Sequence, residues 1–130
     1  MDSTPSVPDQ IRHNAALVLS MARNDLDQDI GYDEAGVRWL DGYVQRLHER
    51  GDTELNAKLV SNLGSFLGEC IVQSHGGIWT EMDGQWGVQF DERNAVYPFN
   101  KVSKQLESGG EDSILSLFTT IPILFIHLKR

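Results

Sequence analysis

The segment Leu63–Phe90, LGSFLGECIVQSHGGIWTEMDGQWGVQF, constrains this chain more than any other. Apolar residues recur at helical spacing up to Ile71, Gly76-Gly77 follows, and strand-like alternation then flanks Asp83-Gly84. Glycine adopts the left-handed C′ conformation at little cost, so the glycine pair predicts a helix end. Asp-Gly is a favoured pair for a two-residue type I′ hairpin turn. A turn there pairs Met82 with Gln85, Glu81 with Trp86, Thr80 with Gly87, Trp79 with Val88 and Ile78 with Gln89. Alternation along a strand then places Trp79, Trp86, Val88 and Phe90 on one face, and Ile78, Thr80, Met82, Gln85 and Gln89 on the other. A second turn at Glu92-Arg93 pairs Phe90 with Ala95 and Val88 with Tyr97, which adds Tyr97 to the aromatic face. Pro98 ends that strand, since it cannot donate to a ladder. The expectation is a three-stranded antiparallel meander over about residues 78–82, 85–90 and 94–97, which needs a helical layer against its apolar face.

The remaining residues supply that layer, and the fold class expected is α+β, with three helices before the meander and two short helices after it. Pro8 suits a helix start, and Ile11, Ala15, Val18, Leu19, Ala22 and Leu26 follow at helical spacing. Asp33 is the expected N-cap of a second helix, with Val37, Leu40, Val44 and Leu47 inward and Gly51 at its end. Asp52 or Thr53 caps the third, with Leu55, Leu59, Leu63, Phe66, Leu67, Cys70 and Ile71 inward. Asn100 is the expected cap of a fourth helix holding Val102 and Leu106 and closed by Gly109-Gly110. Asp112 begins a last segment with Ile114, Leu115, Leu117, Phe118 and Ile121, which Pro122 should break or kink. At 130 residues one globular domain over 8–130 is expected, behind a flexible tail of residues 1–7.

Composition narrows the chemistry. One cysteine forbids an intramolecular disulfide and suits a reducing, cytoplasmic setting. The acidic N-terminus has no apolar core of a signal peptide. The most hydrophobic run, Ile114–Leu128, is fifteen residues interrupted by Ser116, Thr119, Thr120 and Pro122. A spanning helix needs about 20 apolar residues, so this run reads as core and no membrane partner is expected. The net charge is −8, with eleven acids and five arginines in residues 1–57 and eight acids and six bases in residues 58–130. Scattered Lys and Arg argue against nucleic-acid binding, and an acidic surface attracts basic partners. The densest acidic stretch holds Asp25, Asp27, Asp29, Asp33 and Glu34. A calcium loop beginning at Asp25 would need glycine at position 6 and glutamate at position 12, where this chain has Ile30 and Gly36. The stretch therefore reads as a helix end, a loop and the acidic start of the next helix, and as a candidate partner surface. His13, His48, His75 and His127 show no metal-ligand spacing, and Cys70 falls on an apolar helical stripe, where cysteine behaves as a small hydrophobe. No catalytic set, metal site or cofactor is implied.

Gly64 and Gly68 stack on one helical face. Mid-helix glycine costs about 1 kcal/mol relative to alanine, so close approach of another helix or the sheet is expected there. Glu69 follows, either as a surface acid or in a salt bridge to Arg38, Lys101 or Lys104. Glu69, Trp79, Tyr97 and Lys101 are the candidate binding residues of a pocket between the third helix and the sheet.

The runs GVRWLDGYVQRL, LGSFLGECI, GGIW, WGVQF, YPFNKVSKQLE and EDSILSLF resemble small bacterial domains of uncharacterised function, across about Asp33 to Phe125. The resemblance implies a small cytosolic α+β protein with no established activity. By analogy of size and acidity it extends to the immunity proteins of bacterial toxin systems. The leading expectation is a non-catalytic protein-interaction module of immunity or regulatory type, binding a basic partner through the acidic helical half or an exposed sheet face. The alternative is a small-molecule-binding domain or enzyme using the pocket near Glu69. A third reading is a homodimer through a sheet edge or through Ile114–Phe125.

Overall fold

The computed structural model describes residues 5–51, 57–110 and 113–124. The order is α1 (Val7–Leu26), α2 (Glu34–Glu49), α3 (Ala57–His75), β1 (Ile78–Met82), β2 (Gln85–Gln89), β3 (Ala95–Val96), α4 (Pro98–Ser108) and α5 (Ile114–Leu124). This is the α+β plan of three helices, an antiparallel meander in the order β1-β2-β3 and two further helices. The expected caps Asp52, Thr53 and Asp112, the inward Leu55, and residues 1–4 and 125–130 lie outside the described residues.

Local chemistry explains the helix starts. The Ser6 hydroxyl accepts from the Asp9 N–H at 3.2 Å and Pro8 sits in the first turn of α1, so the helix already includes Val7 of the expected tail. Asp33 caps α2 as expected, accepting from the Gly36 N–H at 3.0 Å. α3 is the central helix, buried without a break from Leu63 to Ile71. Its partners in the core are Ile11, Ala15 and Val18 of α1, Val37, Leu40 and Val44 of α2, Trp79, Val88 and Val96 of the sheet, Val102 and Leu106 of α4, and Ile114, Phe118 and Ile121 of α5.

The β1–β2 register is the one that the Asp83-Gly84 turn dictates, pair for pair. The β2–β3 register is not the expected one. Val88 pairs with Val96 and Gln89 with Ala95, one residue away from the predicted alignment. The connection is a three-residue loop, with Phe90 N–H bonded to the Asn94 carbonyl at 2.8 Å. Asp91 holds it: its Oδ1 accepts from the backbone N–H groups of Arg93 and Asn94, both at 2.8 Å, and such aspartate turns compete with a simple two-residue turn. A one-residue slip exchanges the faces of a strand. Val96 therefore joins Trp79 and Val88 inside, and Tyr97 leaves the expected aromatic face. Tyr97 is 36 % exposed and its ring lies beside Gly87 on the outer face, where a Cβ at 87 would stand 3.0 Å from Tyr97 Cδ1.

The expected cap of α4 is also corrected, and one of the two outcomes expected at Pro122 is excluded. α4 begins at Pro98, with Tyr97 at the N-cap position, so Asn100 lies inside the helix and its side chain donates to Gln85 Oε1 at 3.4 Å rather than capping. Proline is pre-organised for a first helical turn, and that preference overrides the asparagine. Pro122 does not break α5, which continues to Leu124. A proline at 122 deprives the Phe118 carbonyl of its usual i+4 donor. The His75 ring donates from Nε2 to that carbonyl at 3.0 Å and packs on the Phe118 ring, centroids 4.3 Å apart. The start of α5 is secured from afar: Leu115 N–H bonds to Asp41 Oδ2 and Ile114 N–H to Gln105 Oε1, both at 2.8 Å. No helix among the described residues is long and apolar enough to cross a membrane.

Candidate functional site

The site grows from the way α3 turns back on itself. Gly76 and Gly77 take φ of 86° and 97°, which reverses the chain so that β1 runs back over its own helix. Trp79 thus returns to Gly68, one face of which is bare backbone: a Cβ at 68 would lie 2.0 Å from Trp79 Cζ2. One turn earlier, Gly64 seats Phe99 from the first turn of α4, where an added Cβ would lie 2.4 Å from Cδ1. The two rings meet with centroids 5.7 Å apart. The glycine pair is therefore the seat of two aromatic rings, one from the sheet and one from a helix.

Beside this seat, Glu69 is 6 % exposed and Trp79 9 %. The Trp79 indole donates from Nε1 to Glu69 Oε2 at 2.9 Å. Glu69 is thus neither the surface acid nor the partner of Arg38, Lys101 or Lys104 that its position in the sequence suggested. Both residues line a cleft of about 360 Å³ with Pro8, Arg12, Val72, Gly77 and Ile78. Arg12, at the rim, is bonded to Asp9. Tyr97 is elsewhere, in a cleft of about 210 Å³ with Gln85, Trp86, Phe99 and Asn100. Lys101 is half-buried on α4 and lines neither cleft. The four candidate binding residues thus resolve into a bonded pair, Glu69 and Trp79, and two separate positions. The register slip accounts for the loss of Tyr97.

The acidic stretch is exposed, and parts of it are already engaged. Asp29 pairs with Arg23 at 2.7 Å and Glu34 with Arg38 at 3.1 Å, while Asp33 caps α2. Asp25 and Asp27 are exposed at the end of α1, with Asp27 in the left-handed region at φ 54°. No group of three His, Cys, Asp or Glu residues that could hold a metal ion forms among the described residues. Cys70 is fully buried, and burial pushes its thiol well above the usual range, with the Asp33 carboxylate adding to the effect. His48 and His75 both serve neighbouring helices: His48 Nδ1 lies 2.9 Å from the Leu106 carbonyl at the end of α4, and His75 meets α5.

Ile78, read from the sequence only as part of a sheet face that could be exposed, is 72 % exposed on an edge strand and lines the Glu69 cleft, a position that the sequence did not reveal. Its place on the outer hairpin face was readable, since a β-branched residue opposite the tryptophan face points away from the core. Pro8 and Arg12 were missed because nothing in the sequence sets the start of α1 beside β1. No family model, curated protein or solved structure matches the chain.

Proposed function

We propose that this chain is a non-catalytic protein-interaction module of immunity or regulatory type, acting in the cytoplasm, which engages a basic partner along the β1 edge and the cleft beside it. The observation that carries this reading is Ile78. A large aliphatic side chain 72 % exposed stands on the outer strand of the sheet, and the backbone of an edge strand is open to pairing with another chain. The apolar walls of the adjoining cleft, Pro8, Val72 and Trp79, extend the patch. The net charge of −8 favours encounter with a positively charged partner.

The test compares the wild-type chain with Ile78→Lys as baits in lysate of the native host. Ile78 touches solvent more than protein, so the variant should fold. A protein retained by the wild type, lost by the variant and released as ionic strength rises supports the assignment. Identical capture by both baits overturns it.

A second reading, a small-molecule-binding domain, is favoured by the cleft volume of about 360 Å³, which falls within the range of ligand pockets of roughly 300–1,000 Å³. Tight binding of a metabolite by Ile78→Lys and wild type alike, with no protein captured, would select it.

A further inference from the structure

The Glu69 carboxylate carries more charge than its structural duty requires. Its one hydrogen bond among the described residues comes from the Trp79 indole, and a neutral glutamine oxygen would accept that bond as well. An ionised carboxylate 6 % exposed bears a desolvation penalty that only a cation or several donors would offset. A carboxylate offers about four acceptor positions, and the indole occupies one. The cation that shares the cleft, Arg12, is bonded to Asp9 instead. The second oxygen of Glu69 is largely enclosed but not sealed off. Ser65 Oγ is the one sealed and unbonded side-chain polar atom among the described residues, so the second oxygen of Glu69 keeps contact with the cleft that the residue lines.

We infer that this cleft receives the guanidinium or ammonium group of an arginine or lysine side chain from the partner, with the charge on Glu69 and the aliphatic stem against Val72, Trp79 and Pro8. The inference rests on the interaction-module reading and names what that module recognises. The lining fits: a long basic side chain has an apolar stem and a charged head, and the cleft has apolar walls, one under-bonded carboxylate and an arginine, Arg12, whose charge is already paired with Asp9. The overall charge of −8 draws basic segments toward the surface, and the exposed Ile78 gives the flanking partner residues an apolar contact.

The indole N–H resonance of Trp79 in a ¹⁵N-correlated NMR spectrum reports directly on its bond to Glu69. The probes are butylguanidinium and its neutral counterpart butylurea, then a terminally blocked peptide Thr-Val-Thr-Arg-Thr-Val-Thr and the same peptide with citrulline for arginine. Butylguanidinium and the arginine peptide should shift the Trp79 signal saturably, the peptide binding at least about tenfold more tightly because its main chain adds contacts. The neutral probes should leave the signal in place. Glu69→Gln should keep a melting temperature at or above that of the wild type and lose the response. Val72→Lys, which sets an ammonium three residues from Glu69 on the same helical face, should block butylguanidinium from within, and it stands in if the glutamine variant does not fold. An equal response to the neutral probes, an unchanged response in either variant, or no response to either cation up to its solubility limit would overturn the inference. Equal affinity for free butylguanidinium and the peptide would overturn the assignment to a partner side chain. None of these probes involves the Ile78 comparison, so the broader reading stands or falls separately.

Discussion

An alanine methyl at position 68 would meet the Trp79 ring at 2.0 Å, in a ring already tied to Glu69 and unable to swing away. Alanine gains about 1 kcal/mol over glycine in a helix, and overpacking a filled site costs about 1–3 kcal/mol. Gly68→Ala is therefore expected to lose up to about 2 kcal/mol on urea denaturation, despite its better helix propensity. Gly42→Ala is the matched control in α2: its nearest neighbour is the flexible tip of Arg46 at 3.2 Å, and it should gain several tenths of a kcal/mol to about 1. A stabilised Gly68→Ala would remove the argument that the ring needs bare backbone. Cys70 supplies a pH-dependent counterpart. Its thiol is pushed up by burial, while in the unfolded chain it ionises near pH ~8.5. Ionisation thus favours the unfolded chain, so stability is undiminished below that pH and falls as pH rises toward the folded thiol's higher value. The measured loss between pH ~8.5 and ~9.5, below the ordinary range of tyrosine, should be absent in Cys70→Ala, and native Cys70 should resist thiol reagents that modify it in urea. The residue roles that the sequence disclosed were those fixed by backbone or volume, the glycine pair and the buried cysteine. The duty of Glu69 was hidden, because its partner is ten residues away on another element.

Elements are joined here by side chains that replace missing backbone partners. Pro122 leaves the Phe118 carbonyl without its donor, and His75 supplies one at 3.0 Å. His75→Ala should cost about 1–2 kcal/mol, a buried acceptor left unmet. Pro122→Ala restores an N–H to the helix, so in that background His75→Ala should cost about 0.5–1 kcal/mol less. Equal costs in both backgrounds, read from denaturant midpoints, would show that the ring contact with Phe118 alone matters. Of the elements themselves, the ones written in short-range chemistry were legible: the Asp33 cap, the Gly76-Gly77 stop and the Asp83-Gly84 hairpin with all its pairs. The second turn was not. Glu92-Arg93 and the Asp91-anchored loop differ by one residue, and only the hydrogen bonds of Asp91 and the burial of Val96 select between them. The cap of α4 was misread, and the choice between a break and a kink at Pro122 was left open, for a related reason. Each depended on a residue in another element or on competition between two neighbouring signals.

Charge is the property that belongs to the molecule as a whole. At −8 the folded chain repels itself, and its exposed ion pairs, Arg12–Asp9, Arg23–Asp29 and Arg38–Glu34, return little of that because surface pairs are each worth about 0–1 kcal/mol. Raising NaCl from low ionic strength to about 0.3 M should therefore increase the melting temperature at neutral pH through screening, and under the function proposed above it should slow association with a basic partner. A melting temperature that falls with salt would mean that the ion pairs outweigh the repulsion. The amino-acid sequence alone determined the element order, the first hairpin register, the inward stripes of the helices and the acidity of the surface, because each follows from spacing, turn chemistry or composition over a few residues. Tertiary structure decided the second register, the side of the sheet that Tyr97 takes, the bond between Glu69 and Trp79, and the meeting of Pro8 and Arg12 with Ile78 around one cleft. Those outcomes turn on contacts between residues far apart in the chain, whose energies depend on how the helices and sheet are packed together.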